Sequence, residues 1–148
     1  MKIVIQRVKE ATIKVDGDII SQIDQGFLVF VGICKDDTKE LADRYLKKII
    51  GLRIFEDHDG KTNLSLADIN GQLLMVSQFT LYANCKKGNR PSFIEAASGD
   101  IAEPLYNYMV EQARQIVPIV KTGIFGADMK ISLINDGPFT IILDENLS

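Results

Sequence analysis

The chain has 148 residues, 46% of them hydrophobic and 25% charged, with a formal net charge of −3 and a pI near 5.2. These globular proportions allow a sizeable core without staples and exclude extensive disorder. The acidic balance excludes a protein that coats nucleic-acid backbone through many Lys and Arg contacts, while leaving room for a local basic patch that meets one RNA end.

In chain order, the opening MKIVIQRVKE alternates with charges inside it, unlike a signal peptide, and no apolar run is long enough for a bilayer. A cytoplasmic location with no membrane partner is expected. KIVIQRV and, after a short break, ATIKV read as strands, and Asp16-Gly17 signals a hairpin before DIISQI. Gly26 opens FLVFVGI, a continuous apolar run suited to a central, fully buried strand. A helix follows: Asp37 and Glu40 have capping-box spacing, Leu41, Tyr45 and Ile49 with Leu46 and Ile50 form one apolar face, and Gly51 is placed to end it.

EDHDGKTN reads as a polar surface loop, LLMVSQFTLYA as a strand, and NCKKGNRPSF as a basic loop. A second helix is expected from Ile101 to Val117, with Pro104 in its first turn, Leu105, Met109, Ala113 and Ile116 inward, and Pro118 ending it. PIVKTGIF, MKISLIN and FTIILDE read as strands, the last two interrupted by Gly137-Pro138. On residue types alone that pair predicts a tight turn between strands. The order suits one mixed, layered α/β domain over residues 1–148 with both helices stacked on sheet. Cys34 and Cys85 match no zinc or redox spacing and are expected to be free thiols.

His58 is the only histidine, and its setting between Asp57 and Asp59 in a solvated loop does not suit a Ser-His-Asp triad. Glu56, Asp57 and Asp59 lack the calcium-loop pattern, so neither metal nor cofactor is expected. SQFTLYA is more informative. In a regular strand Ser77 and Phe79 would share one face, Gln78 and Thr80 the other. Polar groups at the end of an apolar strand cost desolvation unless partnered. Either they are merely tolerated, or the strand end bends and turns Gln78, Thr80 and backbone N–H groups into a shared cavity. There, N–H groups aimed at a developing oxyanion could carry hydrolysis of an activated ester with no histidine. Lys86, Lys87 and Arg90 follow closely, either as a solvated surface or as contacts for an anionic substrate such as a nucleic-acid end.

SQFTLYA, the KGNRPSF loop and GIFGADMKISLINDGPFT, in this order and spacing, resemble the D-aminoacyl-tRNA deacylases, as do IVIQRV and FLVFVGI. The likeness spans essentially the whole chain. Both family signatures are present, SQxT at Ser77, Gln78, Phe79 and Thr80, and NxGPxT at Asn135, Gly137, Pro138 and Thr140. Phe139 stands where the family more usually carries Val, and Asn84 where Asp is common.

The resemblance implies an α/β/β fold of largely antiparallel sheets forming a barrel-like core, with two helices on one side. It implies a homodimer acting on the aminoacylated 3′ end of tRNA. The Gly137-Pro138 peptide would be cis and would project into the partner subunit's active site, supported by Arg7. A backbone wall there would admit a D-aminoacyl group and clash with the L side chain whatever its identity. Glycyl-tRNA, with no side chain to exclude, would be cleaved to some degree. Phe79 would lend its N–H to an oxyanion hole shaped by Ser77, Gln78 and Thr80. Attack by water helped by the RNA 2′-hydroxyl is favoured, because an unassisted threonine is a poor nucleophile. The competing readings are a hydrolase of another activated ester and a non-enzymatic dimeric RNA-binding module.

Overall fold

A computed structural model describes residues 1–145. Strands β1 (Lys2–Val15), β2 (Asp18–Ile23) and β3 (Gly26–Gly32) lead into helix α1 (Lys39–Gly51) and the short pair β4 (Phe55–Glu56) and β5 (Thr62–Leu64). Strand β6 (Gln72–Ser77) runs into a 3-10 turn (Phe79–Tyr82), then helix α2 (Gly99–Arg114), β7 (Val120–Thr122) and β8 (Lys130–Leu143). The main sheet has the order β2-β1-β3-β6-β7, with β8 paired to β1. Pairing is antiparallel around β1 and parallel for β3–β6 and β6–β7. The Ser21 hydroxyl donates to the Thr122 carbonyl, so β2 approaches β7 and the sheet curls toward a barrel.

The alternation of apolar residues explains the layers. Ile3 and Ile5 of β1, Phe27, Val29 and Val31 of β3, and Leu73 and Met75 of β6 pack under the helices. Leu28, Leu74 and Val76 face the opposite side, with Val8, Ala11, Ile13 and Ile23. Strands β3 and β6 are thus buried on both faces, as the unbroken FLVFVGI run requires. β1 is one continuous strand rather than two, and what reads as a break is a change of phase. Odd-numbered residues face the helices before Val8 and the second core after it, with Lys9 and Glu10 exposed between.

The helices follow their stripes, with Ala42, Tyr45, Leu46 and Ile49 buried from α1. A fully buried Leu or Ile side chain contributes roughly 1.5–3 kcal/mol. The cap differs from the capping-box expectation. Thr38 accepts the Leu41 N–H at 3.2 Å, while the Asp37 carboxylate is taken by the Cys34 N–H at 2.8 Å and the Met1 ammonium at 2.6 Å. Helix α2 starts two residues earlier than expected and ends at Arg114. Ile116, expected inward, is therefore past the helix and 61% exposed, and Val117 takes the buried place.

EDHDGKTN is a small hairpin, β4–β5. Backbone N–H groups of Lys61 and Asp59 on the Asp57 carboxylate organise its turn and hold that carboxyl below the usual range. PIVKTGIF is strand only at Val120–Thr122, and β8 continues through Gly137-Pro138. No helix is long and apolar enough to cross a membrane among the described residues.

Candidate functional site

At the end of β6 the Gln78 N–H makes the last rung, donating to the Val31 carbonyl at 2.8 Å. The chain then leaves the sheet, with Gln78 at φ −142, ψ 82. The regular-strand expectation, in which Ser77 and Phe79 share a face, fails; the strand end bends. Leu81 donates to the Gln78 carbonyl at 3.3 Å and Ala83 to the Thr80 carbonyl at 3.0 Å, closing the 3-10 turn. Gly32 makes room for it, since a Cβ there would lie 2.9 Å from that of Leu81.

The bend has three consequences. The Gln78 carboxamide donates to the Thr80 hydroxyl. The Phe79 ring, 55% exposed, is braced edge-on by Phe93 at 5.2 Å. The Phe79 N–H heads the turn, and no acceptor among the described residues takes it. Ser77, Gln78 and Phe79 line a cavity of about 350 Å³ together with Ala97, Gly99, Phe125 and Met129. Thr80 lies outside that lining and connects to it through Gln78. Phe125 and Met129 belong to GIFGADM, which the sequence marks as part of a family likeness without assigning the residues a role. A solitary aromatic and a thioether in a loop carry no chemistry of their own to flag them.

The basic loop is pinned at its base. Asn84 and Ser92 exchange backbone hydrogen bonds of 2.7 and 3.0 Å, and the Phe93–Phe79 contact sets it beside the bend. Lys86, Lys87 and Arg90 are exposed and make no ion pair among the described residues.

The second signature lies elsewhere. Val8 pairs with Asn135 and Gln6 with Thr140, so the single residue Arg7 faces the four residues 136–139, which bulge out of the ladder. The Gly137–Pro138 peptide is cis and Gly137 has φ 137. Both residues are exposed. Arg7 is 5% exposed, the only charged residue buried as a whole among the described residues. Its Nε donates to the Asp136 carbonyl at 2.9 Å and its Nη1 to the Ile54 carbonyl at 2.6 Å. Phe139 turns inward, its ring 4.7 Å from the guanidinium. The Asn135 Oδ1 accepts the Phe139 N–H at 2.8 Å.

The two signatures do not meet within one chain. Ser77 is level with Val31 and Arg7 level with Phe27 on the same strand, which is roughly 13 Å along β3 at strand rise. His58 is apart from both, its side chain 92% exposed with Nε2 3.6 Å from Asp59. Cys34 and Cys85 are free thiols. No group of three or more His, Cys, Asp or Glu suited to a metal occurs among the described residues.

A family model described as D-Tyr-tRNA(Tyr) deacylase matches residues 4–144. D-aminoacyl-tRNA deacylases of Clostridium acetobutylicum and Clostridium novyi are each 51% identical to this chain over 144 residues, covering 97% of it and 97% of theirs. The solved structure of a c-Myc DNA Unwinding Element Binding Protein is 42% identical and superposes with a TM-score of 0.92 over 97% of this chain and 98% of that one. That of a probable eukaryotic D-amino acid tRNA deacylase, 17% identical, shares the fold at a TM-score of 0.84 over 95% and 97%. Fold and matches together define a hydrolytic enzyme of the deacylase class. The chain belongs to the D-Tyr-tRNA(Tyr) deacylase family.

Proposed function

We propose that this enzyme hydrolyses the ester joining a D-amino acid to the 3′ adenosine of tRNA and spares the L-aminoacyl ester. It would do so in the cytoplasm as a homodimer, each subunit lending its Gly137-Pro138 wall to the other's Ser77–Thr80 site. The observation that carries this reading is the separation of the two signatures in one chain, with Gly137 and Pro138 exposed on a braced excursion.

Water adds to the ester carbonyl, and the oxyanion that forms is met by the Phe79 N–H. The tetrahedral intermediate then collapses, expelling the ribose oxygen as a hydroxyl and releasing free amino acid and tRNA. Gln78 already donates to the Thr80 oxygen, and no base among the described residues stands ready to take that hydroxyl's proton. Thr80 is therefore suited to donate and position, and the RNA 2′-hydroxyl assists the attacking water. The cavity beside Phe79, with the ring of Phe125 and the thioether of Met129, fits a nucleoside. Lys86, Lys87 and Arg90 meet phosphates. Carbonyls of the Gly137-Pro138 segment receive the α-ammonium of a D-aminoacyl group, and the same pose drives an L side chain into the wall. Glycyl-tRNA passes such a wall and is cleaved.

The test follows loss of the aminoacyl bond from D-tyrosyl-tRNA and L-tyrosyl-tRNA in parallel. Rapid cleavage of D with L untouched is expected; equal cleavage of both removes the wall, and cleavage of neither removes the reaction. Mixing a Phe79→Pro variant with a Gly137→Val variant should restore one composite site per dimer, and no restoration refutes sharing between subunits. A substrate lacking the terminal 2′-hydroxyl should be cleaved slowly, and full-rate cleavage would remove the RNA's role.

A further inference from the structure

We infer that Asn135, Thr140 and Gln6 form a latch across the neck of the Gly137-Pro138 excursion, and that these three positioning residues set the direction in which its carbonyls project. The inference rests on the wall reading proposed above.

Four residues that leave a ladder opposite one have no register of their own, and two of them, Gly137 and Pro138, pack no side chain into the core. Such a loop can swing about its two ends unless each end is tied. The entering end is tied from the buried side, where Arg7 Nε donates to the Asp136 carbonyl. The leaving end is tied by Asn135, whose Oδ1 accepts the Phe139 N–H at 2.8 Å. The same carboxamide donates through Nδ2 to the Thr140 Oγ1 at 3.0 Å, across the neck. Gln6, on β1, adds a longer contact of 3.4 Å to that oxygen.

This geometry accounts for the residue types. Asn135 must accept on one side and donate on the other, which Asp cannot do in its ionised form and Leu cannot do at all. Thr140 offers two lone pairs and receives two amide N–H groups, so its oxygen is the hub. Each bond is individually modest, but a wall that excludes by shape needs its carbonyls held to a fraction of an ångström. A misplacement of about 1 Å costs about a hundredfold in a positioned reaction.

The experiment compares the enzyme with Asn135→Ala, Thr140→Val and Thr140→Ser. It reads kcat and KM for D- and L-tyrosyl-tRNA, hydrogen exchange of the Phe139 amide, and the melting temperature. Asn135→Ala and Thr140→Val should lower the D-to-L ratio of kcat/KM by tenfold or more, on the order set by that positional sensitivity, through gained L cleavage and a raised KM for D. Thr140→Ser, which keeps the accepting oxygen, should recover most of the discrimination. Asn135→Ala should speed exchange at Phe139. Unchanged exchange at Phe139 in Asn135→Ala overturns the latch whatever the activity. Faster exchange with an unchanged D-to-L ratio overturns its positioning role. Should the parent enzyme fail to prefer D, the wall reading fails and this role with it, while the exchange result separately reports the latch. Gln6→Met provides a milder variant if Thr140→Val does not fold, with the same direction expected; no change in its ratio or exchange excludes Gln6 from the latch.

Discussion

Replacing Arg7 by Lys keeps the charge and removes the fork, which makes it the sharpest probe of how the wall is held. The guanidinium joins two segments that are otherwise independent, the carbonyl of Ile54 after α1 and that of Asp136 at the start of the excursion, at 2.6 and 2.9 Å. It also lies against Phe139, 4.7 Å from the ring centre. A lysine ammonium is a point donor on a flexible stem and can serve one of those carbonyls. The loss is one charge-assisted hydrogen bond, about 1.5–3 kcal/mol, together with a stacked cation interaction of about 0.5–2 kcal/mol. A total of about 2–5 kcal/mol should lower the melting temperature by roughly 4–20 °C in a chain of this size. Differential scanning calorimetry reads that shift, and parallel hydrolysis of D- and L-tyrosyl-tRNA reads the wall. L-tyrosyl-tRNA should begin to be cleaved while the KM for D rises. A melting temperature within about 2 °C of the parent, with L still untouched, would mean that the fork holds neither the wall nor the fold.

Phe79→Pro removes the backbone N–H assigned to the oxyanion, at the first residue of the 3-10 turn, where that N–H serves no acceptor among the described residues. Single-turnover kcat should fall by about 10²–10³, the usual cost of one such donor, and an undiminished rate would place the oxyanion elsewhere. Converting Lys86, Lys87 and Arg90 together to Ala should raise KM, leave kcat near its parent value, and flatten the log–log salt dependence by roughly one unit for each phosphate left without its cation. A small-ester hydrolase would not respond. Burial pushes the Tyr106 phenol up to about 12, and its hydroxyl donates to the Met75 carbonyl at 2.8 Å. The folded chain thus keeps the proton longer than the unfolded one, so this contribution is complete below pH 10 and is lost as pH rises toward 12. Urea midpoints should drop between pH 10 and 12, and Tyr106→Phe should flatten that drop.

The sheet was legible where apolar residues alternate or run unbroken, because burial of one face or both dictates those patterns. It was less legible where tertiary partners decide. Asp37 has the spacing of a cap, yet its carboxylate is drawn to the Cys34 N–H and the Met1 ammonium, and Thr38 caps instead. Ile116 continues the helical stripe in sequence, but α2 stops at Arg114 before that stripe reaches it. The bend after Ser77 is invisible to β propensity, since FTLY is as apolar as any strand. It forms because Gly32 admits Leu81 against β3 and because the sheet rung at Gln78 is the last one available. The Gly137-Pro138 pair is written in the sequence as a stop, but β8 resumes beyond it with Thr140 opposite Gln6. Only the pairing with β1 reveals that four residues face one.

The distance between the two signatures bears on why specificity of this kind can be indifferent to side chains. A wall built into the same chain as the bent strand end would share loops and packing with the cavity, and each change in the cavity would move it. Here the wall is anchored on β1 and β8, level with Phe27, while the cavity is built from the end of β6, the start of α2 and the β7–β8 loop, level with Val31. On the proposed reading the two come together only across subunits, so the shape that judges chirality is set by Arg7 and the neck of the excursion, independently of the residues that line the cavity. Its contacting groups are peptide carbonyls on a φ 137 glycine and a proline, which present no side chain to match or mismatch that of the substrate. What such a site can measure is whether the substituent on the α-carbon points out of the cavity or into the wall, and that is a property of configuration alone.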